Sequence, residues 1–235
     1  MTYIKKEQIE NCTLYLGDAR EVLPIIKSVD CVMMDAPYLL TSGGNNGELG
    51  GILSNENYDN GGHIVECDIT WHEIMALVSS KVERGHIYSM CNDKNIRDML
   101  NAGFDNYMHF HNMLAWDKGI AMTNRWWMKN CEFVGMFSKG KAFKLNDCGK
   151  NQLVRCPPNK ETDHPTEKPA ALMQYYITNS TKEGDVVLDP FMGVGSTGVA
   201  CAQSGRKFIG IEIDEKWFDV ACERISRATN QKGLF

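Results

Sequence analysis

Short apolar, β-rich runs alternate with stretches of helical spacing along most of the chain, and this alternation restricts the fold more than any other feature. Thr13 to Leu16 is such a run, closed by Gly17-Asp18; Ala19 to Lys27 has helical spacing, and Asp30 to Met34 is apolar again. The pattern predicts a helix from about Trp71 to Val82, a strand from His86 to Met90, a helix from Lys94 to Ala102 and a strand from Tyr107 to Trp116. It resumes later with a helix over Ala170 to Ser180, a strand over Asp185 to Leu188 and a glycine-rich turn. A helix over Ser196 to Ser204, a strand over Lys207 to Ile213 and a helix over Lys216 to Thr229 follow. Strands and helices joined by short links predict a doubly wound α/β sheet, whose ligands sit beyond the carboxyl ends of the strands. Residues just after each strand are therefore the candidates for chemistry.

Two stretches break the alternation. Residues 39 to 63 hold seven glycines (Gly43, Gly44, Gly47, Gly50, Gly51, Gly61, Gly62) among several asparagines, which predicts a mobile loop. Residues 117 to 160 carry nine basic side chains against three acidic ones, +6 in a chain whose net charge is −5, so the remainder stands at −11. A basic segment with Trp126, Trp127 and Phe143 among its charges can meet phosphates and bases while the rest of the surface stays acidic. Arg125, Lys129, Lys139, Lys141 and Lys144 are its candidate nucleic-acid contacts. At 235 residues with 43% hydrophobic side chains, the chain suits one domain over 1–235 that contains both excursions. It shows no apolar run of membrane-span length, its first residues lack a secretory signal, and its nine cysteines include no Cys-x-x-Cys pair. A cytoplasmic protein with reduced thiols and no membrane partner is expected.

Gly193-Val194-Gly195-Ser196-Thr197-Gly198 has the Gly-x-Gly-x-x-Gly spacing after a strand and at a helix start, with Glu212 and Asp214 ending the next strand. That spacing suits an adenosine-containing cofactor, whether a nicotinamide dinucleotide or S-adenosylmethionine. Asp189 just upstream favours the second, because a carboxylate there attracts an ammonium group and repels a pyrophosphate. Asp35-Ala36-Pro37-Tyr38 ends another strand. The exocyclic amine of a base is a poor nucleophile, since its lone pair is delocalised into the ring, so catalysis needs acceptors for its hydrogens as the nitrogen becomes tetrahedral. The Asp35 carboxylate and the Ala36 carbonyl, held extended before Pro37, supply acceptors, and Tyr38 offers a stacking face for a flipped base.

Asp35-Ala36-Pro37-Tyr38 resembles the Asp-Pro-Pro-Tyr catalytic motif of DNA amino-methyltransferases, and Asp189-Pro190-Phe191-Met192-Gly193-Val194-Gly195-Ser196-Thr197 resembles their cofactor motif. The motif order, with a basic insert between the two, is that of the β group. His164-Pro165-Thr166-Glu167-Lys168-Pro169 is similar to the group's His-Pro-Thr-Gln-Lys-Pro element, and Leu16-Gly17-Asp18 to its N-terminal Gly-Asp turn. The resemblance spans nearly the whole chain and implies a Rossmann-like methyltransferase sheet with a short target-recognition insert. It implies that Asp189, Phe191, Gly193 and Gly195 wrap the methionine part of S-adenosylmethionine, that Glu212 holds the ribose, and that Asp18 and Ala19 line the adenine pocket. Thr166 and Lys168 would contact the cofactor's carboxylate end. Ala36 for proline and Glu167 for glutamine depart from the pattern.

The resulting expectation is a site-specific enzyme that moves the methyl of S-adenosylmethionine to the exocyclic amine of adenine in double-stranded DNA. Aspartate at position 35 favours adenine by family association, with the 4-amino group of cytosine as the alternative. A nicotinamide-dependent oxidoreductase leaves Asp35 to Tyr38 and the basic insert unexplained; a non-catalytic DNA-binding relative is the third reading, raised by Ala36. A homodimer and a partner restriction nuclease are both compatible with the resemblance. No metal is assigned: His109 and His111 alternate along a predicted strand but lack a third ligand nearby.

Overall fold

In the computed structural model, residues 2–37, 69–122, 127–141 and 143–232 are described. Among these residues, nine strands form one sheet in the order β1-β2-β9-β8-β3-β4-β6-β5-β7. They are β1 (Lys5–Ile9), β2 (Cys12–Leu16), β3 (Cys31–Met34), β4 (Gly85–Cys91), β5 (His109–Met122), β6 (Lys129–Lys139), β7 (Leu153–Arg155), β8 (Val186–Asp189) and β9 (Lys207–Glu212). The helices are α1 (Ala19–Val22), α2 (Trp71–Ser79), α3 (Ile96–Asp105), α4 (Ala170–Ser180), α5 (Ser196–Ser204) and α6 (Glu215–Lys232).

Side chains in the central strands point alternately to two cores, as the twofold repeat of a strand requires. Leu14, Leu16, Cys31, Met33, Tyr88, Met90 and Val187 face the layer of α4, α5 and α6, where they meet Leu172, Met173, Phe218 and Ile225. Tyr15, Val32, Met34, Ile87, Cys91 and Leu188 face the other layer and meet Ile74, Met75, Val78, Met99 and Ala102 of α2 and α3. Helices on both faces leave the strands no polar side, which is why they read as continuous apolar runs. Among the described residues no helix is long and apolar enough to cross a membrane. The described cysteines are free.

Strands β2, β9, β8, β3 and β4 run parallel. The chain moves outward from β3 to β4, then returns to lay β8 against the other side of β3 and β9 beyond it. The strand order therefore reverses between β3 and β8, the place where a doubly wound sheet opens a crevice for ligands.

The elements follow the sequence pattern with instructive exceptions. The helix expected over Ala19 to Lys27 is α1 followed by a 3-10 turn at Leu23–Ile25, because Pro24 has no N–H to continue the ladder. Tyr107 has φ of 55° and belongs to the turn before β5, not to the strand. The largest departure is β6, which lies inside the basic segment and is inserted antiparallel between β4 and β5. Its Val134 and Met136 face one core and Phe137 the other, so it has no polar face to mark it as a strand. The glycine-rich stretch 39–63 lies outside the described residues.

Candidate active site

The crevice between β3 and β8 brings two sequence motifs side by side. Cys31 and Val32 pair with Val187 and Leu188, so Asp35, just past β3, and Asp189, the last residue of β8, stand at the tips of neighbouring strands. Ala36 is buried and Pro37 half-buried; Tyr38 lies outside the described residues.

Behind Asp189 the chain makes a tight loop into α5. Thr197 Oγ1 donates to Asp189 Oδ2 at 2.7 Å and the Phe191 N–H donates to Oδ1 at 3.0 Å, so the Asp189 carboxylate fastens both ends of the loop. Burial pushes this carboxyl up to about 7, against the lowering effect of those two donors. Gly193 and Gly195 have φ of 51° and 77°, where a side chain is strained. A Cβ on Gly195 would also lie 2.9 Å from Ala221 Cβ of α6. Gly195→Ala is expected to cost about 1–3 kcal/mol of stability. Urea unfolding measures it, and a wild-type midpoint would show that the loop adapts.

Glu212, at the end of β9, ties this loop to its neighbour. Its Oε2 accepts from the Gly193 N–H at 2.9 Å, and its Oε1 accepts from the N–H groups of Ile213 and Asp214, both at 2.9 Å. Burial raises its pKa in spite of these donors. Each carboxylate oxygen carries two acceptor sites, so Oε2 retains one for a ligand hydroxyl. The Gly17 N–H donates to the Glu212 carbonyl at 2.8 Å, which sets Asp18 and Ala19 beside this strand tip. Asp18 caps α1 through the Arg20 N–H at 2.8 Å and pairs with the Arg20 guanidinium at 2.6 Å, which lowers its pKa.

The segment His164 to Pro169 closes the crevice from the other side. The His164 ring packs edge-on against Trp217 at 4.6 Å, and burial pushes its pKa down to about 4, so it is neutral near pH 7. Glu167, the departure from glutamine, is buried with a reason: Arg224 Nη2 donates to its Oε1 at 2.8 Å. Thr162 Oγ1 donates to Glu167 Oε2 at 2.6 Å, while Arg224 Nη1 donates to the Val194 carbonyl of the glycine loop at 2.7 Å. Thr166 is exposed. The Lys168 ammonium turns toward the catalytic motif and meets Asp35 Oδ2 at 2.6 Å.

Two residues that no motif marked complete the site. Glu132 on β6 lies 3.5 Å from the Lys168 ammonium through Oε2, and its Oε1 pairs with Lys118 of β5 at 2.6 Å. Only strand pairing reveals them, since nothing local in the sequence separates them from surface charges. Lys118 is thus half-buried and engaged by Glu132.

The other basic candidates divide between the two ends of the sheet. Strand β6 is antiparallel to β4, with Lys139 opposite Gly85 and Phe133 opposite Cys91. Lys129 is therefore at the crevice end, where it pairs with Asp93 at 3.2 Å, and Trp127 beside it is 89% exposed. Lys139 is seven residues beyond Glu132, about 23 Å along the strand at about 3.3 Å per residue. Its ammonium donates to the Asn106 carbonyl at 3.0 Å, and Lys141 and Lys144 follow it at that far end. Of the candidate nucleic-acid contacts, Lys129 thus stands at the crevice end of the sheet, and Lys139, Lys141 and Lys144 stand at the opposite end. Arg125 lies outside the described residues.

Comparison with known proteins agrees with this geometry. A family model described as DNA methylase matches residues 29–223. The Type II methyltransferase M2.LlaDCHI of Lactococcus lactis subsp. cremoris is 29% identical, over 93% of this chain and 90% of its own length. The Type II methyltransferase M.HinfI of Haemophilus influenzae is 27% identical, over 91% of this chain and 68% of its own. Among solved structures, the M1.HpyAVI–SAM complex superposes with a TM-score of 0.69 at 27% identity, covering 91% of this chain and 99% of that one. The cytosine-N4-specific PvuII DNA methyltransferase shares the fold with a TM-score of 0.72 at 18% identity, covering 98% of this chain and 96% of that one. With strand tips, glycine loop and family match all falling on the same crevice, the chain belongs to the DNA methylase family.

Proposed function

We propose that this enzyme moves the methyl group of S-adenosylmethionine to the exocyclic amine of adenine in double-stranded DNA, and that residues 1–235 act as one domain. The observation that carries the reading is the adjacency of Asp35 and the Asp189 glycine loop at the switch point. A methyl acceptor held at one strand tip then lies within reach of a cofactor held at the next, and catalysis consists largely of that alignment.

The charge of the crevice fits this cofactor. Asp35, Asp189 and Glu212 converge there, and the neighbouring carboxylates add to burial in raising the pKa of Asp189. A ligand carrying a sulfonium and an ammonium relieves that repulsion, whereas a pyrophosphate adds to it. S-adenosylmethionine supplies an electrophilic methyl on its sulfonium. Phe191, Gly193 and Gly195 form the wall for its methionine part, with Asp189 fastening the loop; Glu212 accepts from the ribose hydroxyls, and Asp18 with Ala19 borders the adenine. Thr166 lies at the carboxylate end. Asp35 and the Ala36 carbonyl accept from the amine of the target base, Pro37 stiffens that carbonyl, and Tyr38 stacks on the base. The relatives' designation as Type II methyltransferases supports reading the chain as the modification half of a restriction–modification pair.

The test is incubation with methyl-labelled S-adenosylmethionine and duplex DNA, followed by digestion to nucleosides. Label in N6-methyladenine is the expected result. Label in N4-methylcytosine would reassign the base, and NAD binding without methyl transfer would overturn the reaction.

Glu212→Ala is expected to weaken S-adenosylmethionine binding by about 1–3 kcal/mol, since a buried acceptor is lost and the Gly193 N–H is left unpaired. Calorimetric titration measures it. An unchanged dissociation constant would place the ribose partner elsewhere, with Asp214 the first suspect.

DNA contact is assigned to the crevice end of the β5–β6 hairpin, where Trp127 and Lys129 stand. Lys129→Gln is expected to reduce the log–log salt slope of DNA binding by about 0.9, the contribution of one phosphate contact. Replacing Lys139, Lys141 and Lys144 together by glutamine leaves that slope near wild type. The opposite pattern would move the phosphate-contacting surface to the far end of the sheet.

A further inference from the structure

Four charges alternate in a row beneath the catalytic motif: Asp35, Lys168, Glu132 and Lys118. The successive separations are 2.6, 3.5 and 2.6 Å, and the side chains come from the tip of β3, the residue before Pro169 at the start of α4, β6 and β5. The Lys168 side chain is 9% exposed and that of Glu132 18% exposed. One carboxylate oxygen, Asp35 Oδ1, is buried with no hydrogen-bond partner among the described residues, and Glu132 Oε2 has only the longer ionic contact to Lys168. A cluster of this kind, with Lys168 buried and the other three half-buried, is costly unless its members have a task or are fully paired.

The task follows from what Asp35 must do. An amine donor needs a strong acceptor on the carboxylate, and an ammonium at 2.6 Å weakens that acceptor by drawing on its charge. The same ammonium nevertheless fixes the orientation of the carboxylate by holding Oδ2. A second carboxylate on the far side of Lys168 resolves the conflict: it shares the ammonium, draws charge away from Asp35, and anchors the lysine at the same time. Lys118 then neutralises Glu132, so the row carries no net charge.

The geometry points to Glu132, braced by Lys118, as a positioning residue for methyl transfer: through Lys168 it holds Asp35 Oδ2 and so fixes the orientation of the carboxylate that accepts from the target amine. This inference rests on the proposed role of Asp35 and extends it to two strands that carry no catalytic motif. Glu132 touches neither base nor cofactor in this arrangement and acts only through the lysine. Among the described residues, the groups that act on Asp35 electrostatically are Lys168, Glu132 and Lys118; Asp35 in turn acts on Asp189 and on the Cys91 thiol. Glu132 is the partner whose negative charge raises the pKa of Asp35.

The test is single-turnover methyl transfer by the full chain, at saturating S-adenosylmethionine and duplex DNA, across a range of pH. Glu132→Gln keeps the shape and removes the charge. It is expected to lower the plateau rate about tenfold to a hundredfold, with the dissociation constants for S-adenosylmethionine and DNA within about twofold of wild type. Because a negative neighbour of Asp35 is gone, the acid limb of the pH–rate profile moves to lower pH. Glu132→Asp restores part of the rate, and Lys118→Met combined with Glu132→Gln loses less than the product of the single losses.

A wild-type rate and profile in Glu132→Gln would overturn the inference. So would a rate loss that follows a lowered melting temperature or lost cofactor affinity while the acid limb stays in place, since that pattern belongs to folding. Wild-type and Asp35→Ala proteins run alongside separate this failure from failure of the wider reading. A wild-type protein that transfers no methyl, or an Asp35→Ala protein that transfers it normally, overturns the function itself.

Discussion

Asp35→Ala is expected to slow methyl transfer by at least about a hundredfold while leaving S-adenosylmethionine affinity near wild type. The loss corresponds to about 3 kcal/mol of transition-state stabilisation, the scale for removing a charged acceptor aimed at developing charge. Asp35 acts on the acceptor amine, so the loss belongs in the rate and not in cofactor binding. Burial raises the pKa of the Asp35 carboxyl, with Lys168 opposing that rise. Activity in the wild type therefore falls on acidification at a higher pH than an exposed aspartate gives, because the protonated acid no longer accepts through that oxygen. Wild-type turnover in the alanine variant would remove Asp35 from the mechanism. Ala36→Pro, which restores the family residue, is a companion on the same backbone; it is expected to keep or raise activity, and complete inactivation would mean that the segment needs the N–H of residue 36.

The largest effect on stability is expected from Glu167→Ala. The Glu167 side chain is fully buried and that of Arg224 is 6% exposed, with 2.8 Å between them. Removing the carboxylate strands the guanidinium, whose other carboxylate partner, Glu161, is 53% exposed. Breaking a buried pair in this way costs about 3–5 kcal/mol, a large share of the roughly 5–15 kcal/mol that holds a typical domain. The N–H groups of Glu161 and Thr162, at 3.2 and 3.0 Å from Glu167 Oε2, lose their acceptor as well. Arg224 also holds the Val194 carbonyl, so cofactor affinity is expected to fall with stability. Glu167→Gln keeps an acceptor oxygen and is expected to cost less, about 1–3 kcal/mol. Urea unfolding of the two variants tests both statements, and equal midpoints for Glu167→Ala and wild type would show that the pair contributes nothing net.

The same pair shows why a motif letter differs from the family pattern. Glutamine at position 167 could accept from Thr162, yet it would leave Arg224 without a charge partner in the interior. Glu167 and Arg224 are 57 residues apart in sequence, so the departure at one position is explained only by the other.

What could be read from the chain was local. The strand tips Asp35 and Asp189, the glycine turn and the helices Ala170–Ser180 and Ser196–Ser204 announce themselves because side-chain periodicity, φ > 0 at glycine and the restriction before proline act within a few residues. The motifs at those positions were legible through their resemblance to those of DNA amino-methyltransferases. Strand pairing obeys no such limit. Strand β6 enters between β4 and β5, and that single choice of neighbours sets Glu132 and Lys118 behind Lys168 while carrying Lys139 to the opposite end of the sheet. Backbone hydrogen bonds are nearly the same for any partner strand, so the choice is made by which side chains fill both cores at once. Charge counted along the sequence therefore described one basic segment, and only the folded sheet separated its lysines into one inside the site, one beside it and others far from it.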